Sequence, residues 1–318
     1  MAVKKEFINM SKVAFIFPGQ GAQYCGMGQD FYERTKIGKE TYDMASGLLG
    51  FSMPELCFEK NDRLDITEYT QAAMVTTGIA MMRVLEAEKG IRPDVAAGLS
   101  LGEYCALAAA GVMSDGDAIL TVRQRGILMQ QAVPAGIGAM AAILSLDASR
   151  IEEVLKDMEG VQIANYNCPG QIVISGLKEA VEAANEKLLA AGAKRALMLN
   201  VSGPFHSFML TEAGEKLGEV LEGVKIHTPR IPYAANVTAG YVTDKEMVKP
   251  LLKLQVFSSV RWQQSVETMI ADGVDTFIEI GPGKTLSGFM KKITRDVNVF
   301  NIEKLEDLEK LPDLSGGR

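Results

Sequence analysis

The chain has 318 residues, of which 47% are hydrophobic and 23% charged. It can therefore bury a sizeable core, as one large or two smaller globular domains, and this composition excludes a disordered or fibrous protein. The net charge of −7 argues against nucleic acid as the main ligand, because neutralising phosphates needs clustered Lys and Arg.

The sequence has no stretch of about 18 uncharged apolar residues, and its N-terminal residues lack the apolar core of a signal peptide. We therefore expect a cytoplasmic protein with no membrane partner. The cysteines lie far apart without C-x-x-C spacing, so we expect neither disulfides nor a metal site. They suit a reducing compartment as buried, small apolar residues: Cys25, Cys57, Cys105 and Cys168.

Strands and helices alternate in the first part of the chain, which predicts a parallel α/β sheet. Ser114 is the predicted N-cap of the last helix here, with Asp117 at the capping-box position. The predicted elements are a strand at 13–17, a helix near 27–49, a helix at about 67–88, a strand from 95 towards 100, and helices at 103–110 and about 114–131.

A different rhythm begins after residue 136 and gives the ferredoxin-like order β-α-β-β-α-β. Its predicted elements span 139–144, 148–158, 161–166, 172–175, 178–191 and 195–201. We therefore predict a small subdomain over 138–205, inserted into a discontinuous large domain formed by 1–137 and 206–303.

The α/β pattern resumes after the predicted insertion. It predicts a helix after Phe208, strands near 231–235 and 274–280, and a helix from Lys284. Residues 304–318 are expected to form a short helix followed by a frayed C-terminal tail, because Pro312 and the terminal glycines discourage ordered structure.

A G-x-S-x-G motif, Gly-Leu-Ser-Leu-Gly at 98–102, stands between the predicted strand and helix. In that context the motif forms a nucleophile elbow, because its glycines permit a strained turn that exposes the serine hydroxyl. The adjacent helix N-terminus offers backbone N–H groups to a developing oxyanion. Ser100 is therefore the candidate nucleophile, and the alternative is a solvent-facing serine in a glycine-rich turn.

A serine nucleophile needs a positioned base, usually histidine, and the chain has two histidines. His227 lies close to a proline and before a predicted strand, and is best interpreted as a strand-entry or surface residue. His206 lies in a Gly/Pro loop at the predicted junction of the two domains, where clefts commonly form. A lone loop histidine is usually structural or exposed, but the lack of other candidates makes His206 the expected base.

Two further features have both a functional and a plain interpretation. The loop at 18–23 is suited to donating backbone N–H groups, or it is a tight turn without a ligand. It is not a dinucleotide fingerprint, because Tyr24 stands where that motif needs glycine. Arg125 would bind an acyl group that carries a carboxylate if it lay near the serine; otherwise it belongs to a solvated helix face.

Several segments together resemble malonyl-CoA:acyl carrier protein transacylases in order and approximate spacing, over residues 13 to 300. The segments are Phe-Pro-Gly-Gln-Gly-Ala-Gln at 17–23, Gly-Leu-Ser-Leu-Gly-Glu-Tyr at 98–104, residues 123–129, Gly-Pro-Phe-His-Ser at 203–207, Gln255 with Val-Arg-Trp at 260–262, and Glu-Ile-Gly-Pro-Gly-Lys at 279–284.

The resemblance implies an α/β-hydrolase-like large domain, a ferredoxin-like small subdomain and an active site between them. Ser100 would attack malonyl-CoA with His206 as base. Backbone N–H groups of Gln20 and Leu101 would form the oxyanion hole, and Arg125 would bind the malonyl carboxylate. The phosphopantetheine thiol of acyl carrier protein would then take the malonyl group in a ping-pong reaction.

The resemblance also implies that the main-chain carbonyl of Gln255 orients His206, and that Phe205 disfavours methylmalonyl groups. Many family members have histidine at the position of Leu99, and leucine there lacks a hydrogen-bond donor. We expect no resident cofactor, a monomer, and a role in fatty acid biosynthesis. The alternatives are a serine thioesterase or esterase, a transacylase that serves polyketide synthesis, and a non-catalytic carrier- or CoA-binding module.

Overall fold

The computed structural model describes residues 11–314, which contain two β-sheets. The strands are β1 (Val13–Phe17), β2 (Val95–Gly98), β3 (Gly138–Leu144), β4 (Val161–Cys168), β5 (Gln171–Leu177), β6 (Arg195–Met198), β7 (Tyr233–Ala234), β8 (Tyr241–Val242), β9 (Thr276–Ile280) and β10 (Asn298–Ile302).

The α-helices are α1 (Gln29–Arg34), α2 (Lys36–Leu49), α3 (Met53–Phe58), α4 (Thr67–Lys89), α5 (Gly102–Ala109), α6 (Asp115–Gln131), α7 (Ala148–Leu155), α8 (Lys178–Ala190), α9 (Thr211–Glu222), α10 (Val248–Gln255), α11 (Trp262–Ala271) and α12 (Thr285–Ile293). In the described part of the chain, no helix is long and apolar enough to span a membrane.

The larger sheet has the strand order β10-β9-β1-β2-β7-β8. Its first five strands are parallel, and β8 is antiparallel to β7. Strands β1, β2 and β9 are buried along their whole length, as expected of apolar strands in a parallel sheet covered on both faces. The predicted α/β class with a parallel sheet is confirmed.

The smaller sheet is antiparallel, with the order β4-β5-β3-β6. Its strands and the helices α7 and α8 follow one another as β-α-β-β-α-β, the predicted ferredoxin-like order. Ile151 of α7 and Val181 of α8 pack with Ile143, Ile163 and Ile174 of the strands in a hydrophobic cluster separate from the main core.

The two sheets are joined through the outer edge of β4. Tyr166 N donates to Val260 O at 2.9 Å, and Val260 N donates to Ala164 O at 2.8 Å. The segment that leads into α11 therefore pairs with β4 as a short parallel bridge. This pairing fixes the smaller sheet beside the carboxyl ends of the parallel strands, where the candidate site lies.

The single helix predicted near 27–49 is wrong. Thr35 is extended, with φ of −129° and ψ of 142°, and separates α1 from α2. Its hydroxyl accepts a hydrogen bond from Gly38 N at 3.0 Å and so caps α2. The N-cap preference of threonine thus overrides the continuous apolar pattern of this segment.

Other boundaries also differ from the predicted ones. The strand expected near 231–235 contains two residues, and α3, α10, α11, β8 and β10 were not predicted. Leu305–Lys310 form a 3-10 helix in which Leu308 joins the core, and Lys89 pairs with Glu309 at 2.7 Å. The expectation that all cysteines are buried is wrong for Cys25, which is exposed.

Candidate active site

The G-x-S-x-G segment forms the tight turn from β2 into α5. Ser100 has φ of 55°, in the left-handed region that non-glycine residues seldom adopt. A Cβ atom on Gly98 would lie 2.0 Å from the carbonyl of Gly102, and one on Gly102 would lie 2.4 Å from Phe17 O. Both motif glycines are therefore required by close backbone contacts, and Ser100 itself stays partly exposed.

Ser100 and His206 are in direct contact. Ser100 Oγ lies 2.7 Å from His206 Nε2, and His206 Nδ1 lies 2.8 Å from the main-chain oxygen of Gln255. A carbonyl oxygen only accepts hydrogen bonds, so Nδ1 carries the proton and Nε2 of the neutral ring is left to accept from the serine hydroxyl. The predicted partners Ser100, His206 and Gln255 are thus brought together in the geometry of a nucleophile with its base.

The environment of His206 favours the neutral imidazole. The residue is 3% exposed, and burial together with the nearby Arg125 guanidinium lowers the pKa of His206 to about 3. A neutral ring is the form able to accept a proton. His227, the other histidine in the sequence, is exposed as expected.

Arg125 is buried, so the interpretation as a solvated helix face is wrong. Its Nη2 donates to Ser100 Oγ at 3.0 Å, and its Nη1 donates to Gln71 Oε1 at 2.7 Å. Burial lowers the pKa of Arg125. Within residues 11–314, Arg125 forms no ion pair with a carboxylate, unlike Arg83 and Arg123. A buried guanidinium beside the serine is therefore available for an anionic ligand.

Two backbone amides predicted to bind an oxyanion have no acceptor in the described residues. They belong to Leu101, the residue after the serine, and to Gln20 in the loop after β1. By contrast, Ser100 N donates to Asn236 Oδ1 at 2.7 Å and Gly102 N donates to Leu99 O at 3.0 Å. The two free N–H groups are the ones suited to a developing negative charge.

The loop that carries Gln20 packs closely on the serine turn. A Cβ atom on Gly19 would lie 2.8 Å from Leu99 O and 3.3 Å from Leu99 Cδ2. The Leu99 side chain therefore lies against this loop and has no group that could donate a hydrogen bond there. The side chain of Gln20 is held separately, since its Nε2 donates to Thr67 Oγ1 at 3.2 Å.

Two residues lie next to His206: Phe205 precedes it in the loop, and Gln162 belongs to the smaller sheet. Phe205 is 7% exposed and packs in the main core. Gln162, on β4, donates through Nε2 to His206 O at 3.1 Å and accepts from Phe208 N at 3.1 Å. The smaller sheet thus fixes the backbone of the histidine loop, a role that no local sequence signal indicated.

Sequence reasoning missed three further buried polar residues, Gln71, Glu103 and Asn236. Asn236 bridges the serine turn, because its Nδ2 donates to Gly98 O at 2.7 Å while its Oδ1 accepts from Ser100 N. Glu103 is a charged residue at the start of an otherwise apolar helix, and that contrast was the one signal available for it. The partners of Gln71 and Asn236 are distant in sequence and left no such signal.

The Glu-Ile-Gly-Pro-Gly-Lys segment at 279–284 leads from the end of β9 to α12 and contacts the loop that carries Gln20. Glu279 accepts hydrogen bonds from Leu286 N, Ser287 N and Ser287 Oγ at 2.9, 2.8 and 2.6 Å, and so satisfies the N-terminus of α12. Gly281 has φ of 142°, and a Cβ atom there would lie 2.8 Å from Pro18. The segment therefore acts by packing against the Gln20 loop.

Comparison with known proteins defines the class first. A family model described as "Acyl transferase domain" matches residues 14–309, so the chain is an acyltransferase. The malonyl CoA-acyl carrier protein transacylase of Bacillus subtilis is 48% identical over 305 residues, covering 94% of this chain and 96% of the relative. The Staphylococcus aureus (strain MRSA252) protein of the same name is 44% identical, covering 94% and 98%.

Solved structures agree with these relatives. The malonyl CoA-acyl carrier protein transacylase from Clostridium perfringens superposes with a TM-score of 0.91 at 43% identity, covering 94% of this chain and 96% of that one. A malonyl-transacylase solved in complex with a type II polyketide acyl-carrier protein gives 0.92 at 38% identity, covering 96% and 100%. The chain belongs to the malonyl CoA-acyl carrier protein transacylase family.

Proposed function

We propose that the protein moves the malonyl group from malonyl-CoA to the phosphopantetheine thiol of acyl carrier protein, through a malonyl ester on Ser100. One observation carries the proposal: Ser100 Oγ lies within hydrogen-bond distance of both a neutral imidazole and a buried guanidinium. The imidazole suits a nucleophilic serine, and the guanidinium suits an acyl group with a free carboxylate.

In the first half-reaction, Ser100 Oγ attacks the thioester carbonyl while its proton passes to His206 Nε2. The carbonyl oxygen becomes an oxyanion, and the amides of Gln20 and Leu101 donate to it. When the tetrahedral intermediate collapses, the carbon–sulfur bond breaks and the imidazolium gives its proton to the departing CoA thiolate. The products are free CoA and a serine ester.

Arg125 selects the acyl group in this scheme. Its Nη2 donates to the serine oxygen in the free protein, and the terminal carboxylate of a malonyl group would accept from the same guanidinium. Gln71 holds the other Nη nitrogen at 2.7 Å and so keeps the guanidinium plane in place. Acetyl groups carry no carboxylate and would gain nothing from this contact.

In the second half-reaction, His206 accepts the proton of the phosphopantetheine thiol as its sulfur attacks the serine ester. The ester bond breaks, the proton returns to Ser100 Oγ, and the malonyl thioester leaves on the carrier. Each half-reaction exchanges one acyl bond for another, so the proposed chemistry needs no resident cofactor or metal.

We further propose that 138–205 form the small subdomain and that the reactants enter between it and the large domain, 1–137 and 206–303. His206 follows β6 directly, and Gln162 of β4 holds its loop, which supports a site between the two units. Phe205, next to the base, is proposed to disfavour an α-methyl branch, and Leu99 to leave one wall of the site apolar.

The carrier protein is the proposed partner, in the cytoplasm, with the transacylase acting as a monomer in fatty acid synthesis. Lys291, Lys292 and Arg295 are exposed at the end of α12 and offer positive charge to an acidic carrier. Lys292 Nζ also donates to Gln171 Oε1 at 3.1 Å, which places this cluster beside the turn between β4 and β5.

Intact-protein mass spectrometry tests the proposal directly. Wild type and Ser100→Ala would each be mixed briefly with malonyl-CoA, with and without holo acyl carrier protein. We expect a malonyl adduct on the wild type that disappears as the carrier gains the same mass, and none on Ser100→Ala.

Two other outcomes would overturn the proposal. An adduct that decays to free malonate without modifying the carrier would identify a thioesterase. Malonyl transfer that persists in Ser100→Ala would show that Ser100 is not the nucleophile. Using fatty acid and polyketide carriers side by side then tests the pathway.

A further inference from the structure

The carboxylate of Glu103 lies behind the serine turn and contacts neither Ser100 Oγ nor the imidazole. The residue is 1% exposed, in the first turn of α5. Its Oε2 accepts from Gln255 Nε2 at 2.7 Å and from Asn236 N at 3.1 Å. Burying a carboxylate costs desolvation free energy even when it is hydrogen bonded. A buried carboxylate at this position is therefore a candidate for a functional role.

The two donors to Glu103 are the residues that hold the backbone of Ser100. Asn236 Oδ1 accepts from Ser100 N, and Gln255 Nε2 donates to Ser100 O at 3.0 Å as well as to the carboxylate. A left-handed conformation is unfavourable for a residue other than glycine and persists only when its surroundings hold it. One carboxylate therefore holds the main chain of Asn236 and the side chain of Gln255, the two residues that keep the serine turn in its strained form.

Gln255 also connects the carboxylate to the base. Its main-chain oxygen accepts from His206 Nδ1 at 2.8 Å, while its side chain donates to Glu103. In a Ser-His-Asp triad the carboxylate touches the imidazole itself. Here one glutamine stands between them, so the orientation of the ring depends on a residue whose side chain Glu103 fixes.

We propose that Glu103 is a positioning residue for the reaction: through Gln255 and Asn236 it holds Ser100 and His206 in register, and its negative charge favours the imidazolium formed when Ser100 attacks. This inference rests on the proposed role of Ser100 as nucleophile. The carboxylate of Glu103 would thus act on Ser100 and His206 through one intervening residue.

The titratable and charged groups that face Glu103 are Arg125 of α6, Tyr104 of α5 and Tyr233 of β7. His206 lies on the other side of Gln255, whose main-chain oxygen accepts from the imidazole. Burial raises the pKa of Glu103 to about 7, so the carboxylate gains its charge in the neutral range. Its Oε1 atom is buried without a hydrogen-bond partner in the described residues.

The test compares Glu103→Gln, which removes the charge but keeps the shape, with Glu103→Asp and with Glu279→Gln. Glu279 is an equally buried carboxylate that caps α12 and serves as the matched control. Two rates would be followed from pH 5.5 to 8.5: malonylation of Ser100 by rapid quench, and sulfonylation of Ser100 by phenylmethylsulfonyl fluoride. The second rate reports serine reactivity without any malonyl chemistry.

We expect both wild-type rates to rise as the pH increases through about 7. Glu103→Gln should lower them 10- to 100-fold above pH 7, change the KM for malonyl-CoA less than threefold, and abolish the rise. Glu103→Asp should restore part of the rate and the rise. Glu279→Gln should lower the melting temperature but keep the wild-type pH dependence.

Wild-type rates and pH dependence in Glu103→Gln would overturn the proposal. If that variant does not fold, the wild type alone decides, because sulfonylation that is constant from pH 5.5 to 8.5 would also overturn it. Failure of the proposed function is a separate result: the wild type would then be sulfonylated with the expected pH dependence but gain no malonyl group.

Discussion

Ser100 and His206, two residues 106 positions apart, share the same unusual backbone conformation, each with φ of 55°. The turn at Ser100 is fixed by the close contacts of its flanking glycines. At His206, Gln162 Nε2 holds the backbone by donating to His206 O, and Gln255 O orients the ring by accepting from Nδ1. The 2.7 Å contact between Ser100 Oγ and His206 Nε2 therefore depends on two left-handed turns and on one hydrogen bond to the ring.

Removing the guanidinium of Arg125 should separate malonyl from acetyl transfer. We expect Arg125→Ala to lower kcat/KM for malonyl-CoA about 100-fold or more, the usual effect of losing one partner of a buried charged pair, and to affect acetyl-CoA far less. Steady-state kinetics with both thioesters measure this. The matched control is Arg123→Ala, on the same helix, whose guanidinium pairs with Glu68 at 2.7 Å. Equal losses for the two substrates would remove the proposed role.

A carboxylate built beside Arg125 should compete with the substrate. Gln71→Glu would place an acidic oxygen at the position that now accepts from Arg125 Nη1 at 2.7 Å. The internal ion pair should raise the KM for malonyl-CoA about tenfold or more and change acetyl transfer less than about threefold. Steady-state kinetics with malonyl-CoA and acetyl-CoA measure both effects. A variant that retains the wild-type KM for malonyl-CoA would contradict the proposal that Arg125 binds the malonyl carboxylate.

The serine turn should not tolerate a methyl group at its first glycine. In Gly98→Ala the new Cβ would lie 2.0 Å from backbone atoms of Gly102, so the turn must open. We expect loss of Ser100 malonylation and a destabilisation of about 2–3 kcal/mol in urea unfolding, as for other overpacked sites. Gly47→Ala, in α2 with open space around it, should instead stabilise the fold by about 0.5–1 kcal/mol. A fully active Gly98→Ala would refute the steric argument.

His206 should stay neutral well into the acid range. Its pKa is lowered from 6.5 to about 3, so the stabilisation from the neutral ring is present above pH 6.5 and is lost as the pH falls towards 3. In NMR spectra of protein labelled with ¹³C-histidine, the ring resonance of His206 should hold its position from pH 8 to 5. Loss of a signal in His227→Gln assigns the two histidines. A His206 resonance that titrates near pH 6.5 would contradict this prediction.

The sequence predicted well the elements that are formed by residues adjacent in the chain. The strand, turn and helix around Ser100 are adjacent in the chain, so their glycines and apolar runs indicate the turn directly, and the β-α-β-β-α-β rhythm likewise lies in one continuous stretch. The pairing of Ser100 with His206 followed from the scarcity of histidine and from family resemblance. Neither depended on knowing how the two sheets meet.

The sequence did not predict contacts between distant positions, nor the outcome where two local signals compete. Asn236, Gln71 and the side chain of Gln255 act through contacts with residues far along the chain, and no spacing rule links such positions. The break at Thr35 was missed because a hydroxyl cap and a helical apolar pattern compete in one segment, and the cap prevails.

The partners of Ser100 come from far downstream, since His206, Asn236 and Gln255 follow it by 106, 136 and 155 positions. Contacts across such separations form late, because long loops must close first. During synthesis the serine therefore lacks its base until His206 has been made, and its turn lacks the contacts of Asn236 and Gln255 until those residues follow. A polypeptide that stops short of His206 carries the nucleophile without the group that would activate it.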